Sequence, residues 1–171
     1  MNIKLMLLIL FVKSISGFSQ DSFTLAIHQD TRFLYSGDIR GNHKGTLDIL
    51  IKAEIPIIKL KKSYFVVFPS FEYAALHSSE MSRYSVGVGY IQKEIYFKNL
   101  NLGIFTDLGR IYRENKSSRS YGLNFEVSYR LTKRLSASIV HQILERTDLK
   151  LLYNDGRYTR NSSFIGFKVH F

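Results

Sequence analysis

Phe164–Ile165–Gly166–Phe167–Lys168–Val169–His170–Phe171 closes the chain. Ile165, Phe167, Val169 and Phe171 alternate with Gly166, Lys168 and His170. Successive side chains of a β-strand point to opposite faces. The stretch therefore reads as a strand with one apolar face and one polar face, ending on an aromatic residue. Two environments suit such a strand. One is a wall with lipid on one side and a polar lumen on the other. The other is a secreted soluble β-protein, in which the apolar face packs into a core.

At the other end, Lys4 lies in a short positive segment, Leu5 to Val12 form an apolar run, and Ser14 to Gln20 supply small and polar residues. This pattern predicts a secretory signal over 1–20 and a mature domain over 21–171. Lys13 interrupts the usual pattern and no A-x-A cleavage site is present. The apolar run falls short of the roughly 20 residues a spanning helix needs. Cysteine is absent, which excludes a lipoprotein anchor, disulfides and thiolate metal sites. The 171 residues less the first 20 leave 151, enough for one domain. Without Lys4 and Lys13, the chain's net charge of +10 becomes +8. Tyr and Phe are abundant and Trp is absent, a composition that suits aromatic girdles at the two edges of a membrane wall.

Eight strand-like segments follow one another, near 22–35, 44–58, 63–76, 83–95, 100–113, 121–131, 135–147 and 158–171. The connections near 59–62, 96–99 and 132–134 are short. Those near 36–43, 77–82, 114–120 and 148–157 are longer and rich in Gly, Asn, Ser and charge. An even strand count with short turns at one end and long loops at the other resembles a bacterial outer-membrane β-barrel. The final strand resembles the closing strand of that family, and the resemblance implies that terminal Phe171 is read by the barrel assembly machinery. The expected fold is all-β: an eight-stranded antiparallel up-and-down transmembrane barrel in the outer membrane, with both termini on the periplasmic side.

The faces follow from parity. Tyr121, Leu123, Phe125, Val127, Tyr129 and Leu131 share one face of the sixth segment; Gly122, Asn124, Glu126, Ser128 and Arg130 share the other. Leu47, Ile49, Ile51, Ala53 and Ile55 oppose Asp48, Lys52 and Glu54 in the second. Tyr84, Val86, Val88 and Tyr90 oppose Arg83, Ser85, Gly87 and Gly89 in the fourth. In the third, Pro69 interrupts the ladder donors. Gln29, Thr31, Thr106 and Arg110 dilute the outward faces of the first and fifth. The polar set Glu54, Glu72, Asp107, Glu126, Arg130 and Lys168, with Lys52 and Arg83, then lines a lumen too narrow to leave charges unpaired. Glu72, Asp107 and Glu126 also resemble paired carboxylates for acid–base work, but a salt-bridge network is the plainer reading.

The stretch from Tyr121 to Phe171 resembles the C-terminal part of the PagL-type lipid A 3-O-deacylases, also called acyloxyacyl hydrolases. His141 matches the family histidine of its H-x-S-N strand motif; Asn154 and Gly156 match the loop that follows. The family serine is replaced by Ile143, the following Asn by Leu144, and the loop Pro by Tyr153. The resemblance implies lipopolysaccharide as partner and lipid A ester hydrolysis as activity, yet Ile cannot serve as a hydroxyl nucleophile. The chain would then be a degenerate, non-catalytic relative, or an enzyme using another hydroxyl. The non-catalytic alternative is a surface or adhesion barrel similar to small OmpX-like proteins.

By parity His141 faces outward beside Ile139 and Ile143, where an ionisable group is costly and often functional. A plainer reading is a neutral imidazole hydrogen-bonded to the neighbouring strand. If the seventh and eighth segments form a hairpin centred near Leu152, Ser163 lies directly opposite His141. Directly paired residues have Cβ atoms ~4.5–5.5 Å apart, so the pair would be within hydrogen-bonding reach, with Asp155 or Glu145 as orienting acid. The remaining histidines, His28, His43, His77 and His170, lack metal-ligand spacing. No metal or cofactor is expected, and an exported barrel is not expected to bind nucleic acid despite its basic pI. Arg113, Lys116, Arg119 and Arg157 fall at or near the long loops and are expected to meet lipopolysaccharide phosphates by charge-assisted contacts; ordinary solvated charge is the alternative.

Overall fold

The structure, a computed structural model, describes residues 23–149 and 159–171. The expected signal segment over 1–20, and Asn154, Asp155, Gly156 and Arg157, lie outside the described residues. The main elements among the described residues follow in order: β1 (Thr24–Asp30), the short helix α1 (Thr31–Tyr35), β2 (Asp48–Lys59), β3 (Ser63–Ala74), β4 (Met81–Gln92), β5 (Leu100–Arg113), β6 (Lys116–Arg130), β7 (Leu135–Glu145) and β8 (Thr159–His170). Each strand pairs with its sequence neighbours, and β1 pairs with β8, so the sheet is a closed barrel. The closing ladder is antiparallel, from Thr24 opposite His170 to Asp30 opposite Phe164. Closure leaves no sheet edge along the wall. This is the eight-stranded up-and-down barrel read from the sequence.

Period-two alternation decides what each face meets. Along β6, Ser120, Asn124, Glu126 and Ser128 are buried, while Tyr121, Leu123, Phe125, Val127 and Tyr129 are exposed. Phe167 is 57% exposed on the outside of β8, whereas Glu54 is 1% exposed inside β2. A water-soluble barrel would be built the other way round, with its charges outside. An apolar outer wall around a charged interior is what a barrel embedded in lipid requires.

Several boundaries differ from the expected ones, each for a local reason. The first strand stops at Asp30, whose side chain accepts from the Arg32 amide at 2.7 Å and starts α1. That helix turns Phe33 inward, where it is buried at the barrel mouth. The expected loop at 114–120 is a two-residue turn. Glu114 and Asn115 have φ of 49° and 58°, as twisted hairpins favour, and β5 and β6 pair as far as Arg113 opposite Lys116. The turn expected at 96–99 instead occupies 93–99, with positive φ at Glu94, Tyr96 and Asn99. Around Pro69 the β2–β3 pairing lapses between Lys52–Ser70 and Ile55–Val67 without a change of register, which shifts only between Pro56 and Ile58. Proline has no N–H to donate to the ladder.

The interior is layered. Val66, Phe68, Ile91 and Phe105 pack together toward the chain-terminus end; Ala74, Met81, Ile111 and Leu144 pack near the opposite mouth; Leu50, Val140 and Phe164 form a third cluster. The Phe105 ring occupies space that a Cβ on Gly89 or Gly103 would fill. At the chain-terminus end, the Phe171 amide donates to the Phe23 carbonyl at 2.9 Å, and their rings lie 5.6 Å apart.

Candidate functional site

Charged inward positions from β2, β6 and β8 converge in the middle of the lumen. Lys52 lies 2.8 Å from Glu54 and 2.6 Å from Glu126. Lys168 lies 2.8 Å from Glu54 and 2.5 Å from Glu126. Two ammonium groups thus face two carboxylates, with no net charge. The Lys52 ammonium also sits 3.6 Å from the Phe105 ring centroid, a cation–π contact that replaces part of its lost hydration. Higher up, Arg83 pairs with Asp107 and donates through Nε to Ser120 Oγ at 2.7 Å. Asn124 Nδ2 donates to Asp107 at 2.9 Å.

Two residues expected in this network stand apart from it. Glu72 is opposite Arg83 in register, but that guanidinium is committed to Asp107 and Ser120. Among the described residues, the hydrogen bond Glu72 receives is from Gln142 Nε2, at 3.4 Å. Arg130 points inward at the end of β6, near Tyr64 and His170. Its Nε has no partner among the described residues. It lies at the opposite end of the strand from Ser120, out of reach of the carboxylates it was expected to meet.

The mouth nearest α1 is closed by a second set of charges. Arg146 donates to both Asp148 oxygens at 2.8 Å. Burial pushes the Asp148 carboxyl up, but the Arg146 hydrogen bonds and charge outweigh it and hold the group below its ordinary value. Arg113, expected to offer its guanidinium to lipid phosphates, points into the mouth because odd-numbered β5 positions face inward. Its Nε donates to Ser79 at 2.7 Å, and its guanidinium lies 3.8 Å from Asp148. Beneath this layer Asp48, Glu72, Gln142, Arg146 and Arg160 surround a void of about 10 Å³, room for one water. Among the described residues, side chains occupy the lumen at each of these levels. Lys116 and Arg119 remain exposed on the β5–β6 hairpin.

On the outer wall, β7 and β8 place His141 directly opposite Ser163. The His141 Nδ1 and Ser163 Oγ atoms are 3.1 Å apart. With the imidazole proton on Nε2, the hydroxyl donates to Nδ1, the arrangement in which a base can activate a hydroxyl. Phe125 flanks His141 on β6, and Thr31 Oγ1 donates to the Ser163 carbonyl at 2.9 Å. Asn161 is the next outward residue on β8, opposite Ile143. Glu145 is paired with Thr159 at the end of β7; among the described residues no carboxylate contacts the His141 ring.

Two histidine sites lay outside the sequence reading. His28 Nε2 lies 2.8 Å from Ser138 Oγ inside the barrel, and His170 bridges Thr24 at 3.0 Å and Ser136 at 2.8 Å. Both have the inward parity of β1 and β8, which was the signal available for them. Both tie strands together, and His28 is buried away from any substrate.

No protein-family model and no curated sequence matches the chain. Solved structures do. The backbone of the Yersinia pestis outer membrane protein Ail, in a phospholipid bilayer nanodisc, is similar with a TM-score of 0.55 at 11% identity, over 89% of this chain and 100% of that one. Neisserial surface protein A is similar at 0.49 and 14% identity, over 88% and 94%. The crystal form of Ail, the attachment invasion locus protein, gives 0.47 at 11% identity, over 88% and 97%. What the chain shares with Ail is the fold. With its apolar exterior and filled, charged interior, the chain is a small eight-stranded outer-membrane β-barrel.

Proposed function

We propose that this protein is a non-conducting outer-membrane barrel that works through its lipid-facing wall and the loops at the α1 end, as a non-catalytic relative of the small surface barrels. The observation that carries the reading is the crossing of the lumen by Lys52, Glu126, Lys168 and Glu54, each ammonium within 2.8 Å of both carboxylates. A pore would need those charges to line a water column; here they neutralise one another across it. Lys116, Arg119 and Arg157 supply positive charge for lipopolysaccharide phosphates, and Phe171 offers the terminal aromatic for insertion by the assembly machinery. The test is reconstitution in planar bilayers. Absence of unitary conductance supports the reading, and stable large channels overturn it.

The His141–Ser163 contact favours a second reading, a lipid A ester hydrolase. Ser163 Oγ would attack an acyl ester carbonyl while His141 Nδ1 takes its proton. Collapse of the tetrahedral intermediate would release the sugar alkoxide, which recovers that proton. The acyl-serine left behind would be cleared by water, with the imidazole again as base, giving a free fatty acid. Mass spectrometry of lipid A from cells with and without the protein tests this. Loss of one hydroxyacyl chain, restored by Ser163→Ala and by His141→Ala, supports it; unchanged lipid A removes it.

A further inference from the structure

The lipid-facing wall is not apolar all the way round. On β6 the outward apolar run extends from Tyr121 to Tyr129; on β8 it extends only from Ile165 to Val169. The shorter run lacks four residues, about 13 Å along a strand. Above Ile165 the outward β8 positions are Ser163, Asn161 and Thr159, and the adjoining end of β1 continues with Gln29 and Thr31. Beside them α1 leans against β8 and leaves an open cleft of about 440 Å³, lined by Thr31, Arg32, Tyr35, Asn161, Ser162 and Ser163, with the buried Asp30 carboxylate held by Arg32 at its floor. Polar groups facing hydrocarbon are costly unless something bonds them.

We propose that this notch between α1 and the upper half of β8 holds the hydroxylated, phosphate-bearing headgroup of one outer-leaflet lipid, drawn below the level of its neighbours. The notch has free bonding capacity: among the described residues the Asn161 amide and the Tyr35 hydroxyl make no hydrogen bond, and Tyr35 is 75% exposed. It also has the right charge. Arg32 is bonded to Asp30 at 2.9 Å and Ser162 at 3.2 Å, and a third of its side chain is still exposed. Arg160 lies within electrostatic reach of Arg32, with Asp38 partly opposing the positive charge there. Acyl chains descending from a headgroup held here would run down the short apolar face formed by Ile165, Phe167 and Val169. The inference rests on the lipid-facing wall of the proposed function and not on hydrolysis at Ser163.

The chain contains no tryptophan, so a single introduced indole reports its own surroundings. Ile165→Trp places one beneath the notch and Leu123→Trp one on β6, two strands away around the wall. Each full-length variant is reconstituted in phosphatidylcholine vesicles carrying a fraction of brominated phosphatidylglycerol, or of brominated phosphatidylcholine. Quenching then gives the relative occupancy of the two lipids beside each indole. The expected preference for the phosphatidylglycerol is about threefold or more at position 165 and close to one at position 123. Asn161→Leu with Tyr35→Phe, which leaves the Arg32–Asp30 pair intact, is expected to bring the ratio at 165 down to that at 123. Equal ratios in the parent, or a preference that survives the double change, overturn the notch while leaving the membrane wall in place. Failure of either brominated lipid to quench either indole overturns the lipid-facing wall, and the notch with it.

Discussion

The Lys52 ammonium reaches the Glu126 carboxylate at 2.6 Å, although the two residues are 74 positions apart and sit on β2 and β6. Their contact spans the lumen, and Lys168 from β8 completes it. Removing one member leaves a buried charge uncompensated, which costs roughly 3–5 kcal/mol. Lys168→Met is therefore expected to lower the unfolding free energy of the vesicle-inserted barrel, read from its urea titration, by that much. Lys168→Met with Glu126→Gln should cost less than the two single changes added together, because the second change removes the stranded charge. Additive losses would show that the four groups do not act as a unit.

The His141–Ser163 contact is open to lipid, and its loss should hardly affect stability. Exposed substitutions of this kind usually shift it by about 0.5 kcal/mol or less. Its chemistry is better read through a thiol. The chain has no cysteine, so Ser163→Cys creates a single one beside the imidazole, which should stabilise its thiolate. Alkylation by a membrane-permeant maleimide is expected to be several-fold faster for Ser163→Cys than for Ile165→Cys, and to slow to the same rate when His141→Ala is added. Equal rates with and without His141 would mean that the pair does not communicate.

Parity alone made much of this molecule legible. Once Phe164–Phe171 is taken as a strand, the inward set Lys52, Glu54, Glu126 and Lys168 follows, and the hairpin register places Ser163 opposite His141. What parity could not supply is distance. Arg130 has the inward parity of Glu126, yet it lies at the strand end and, among the described residues, pairs with no carboxylate. Arg113, the last residue of the fifth expected strand, read as bordering a long loop because the Glu114–Asn115 turn was hidden: neither residue is a glycine, the strongest sequence mark of positive φ. The inward Phe68 and Phe105 were missed because an apolar lumen residue carries the same letter as an apolar wall residue, and glycines on the same and adjoining strands decide whether the ring fits.

That turn offers a direct substitution. Side chains with a Cβ resist the left-handed region, and glycine does not. Asn115→Gly should therefore stabilise the β5–β6 hairpin by about 0.5–1 kcal/mol, seen as slower amide exchange at Ile111 to Ser118. Asn115→Val, which is β-branched and tolerates positive φ poorly, should accelerate exchange over the same residues. An unchanged exchange pattern in both would place the turn in another conformation.

Asp148 lies beyond the end of β7 and anchors the mouth through Arg146. Burial opposes its ionisation, but the Arg146 hydrogen bonds and charge prevail, so its folded-state value lies below the ordinary 3.8. A carboxyl depressed by folding binds its proton more readily in the open state. The stabilisation it gives is thus complete above the ordinary value and is lost as pH falls through the lower folded one. The mouth should stay closed through neutral and mildly acidic pH and loosen only below about pH 3.8. Limited proteolysis near Arg146 with an acid-active protease, compared with cleavage elsewhere in the chain, reads this opening. Asp148→Asn should leave the segment cleavable at every pH and abolish the acid step. A wild-type step centred near pH 6 to 7 would assign the opening to a histidine instead of Asp148.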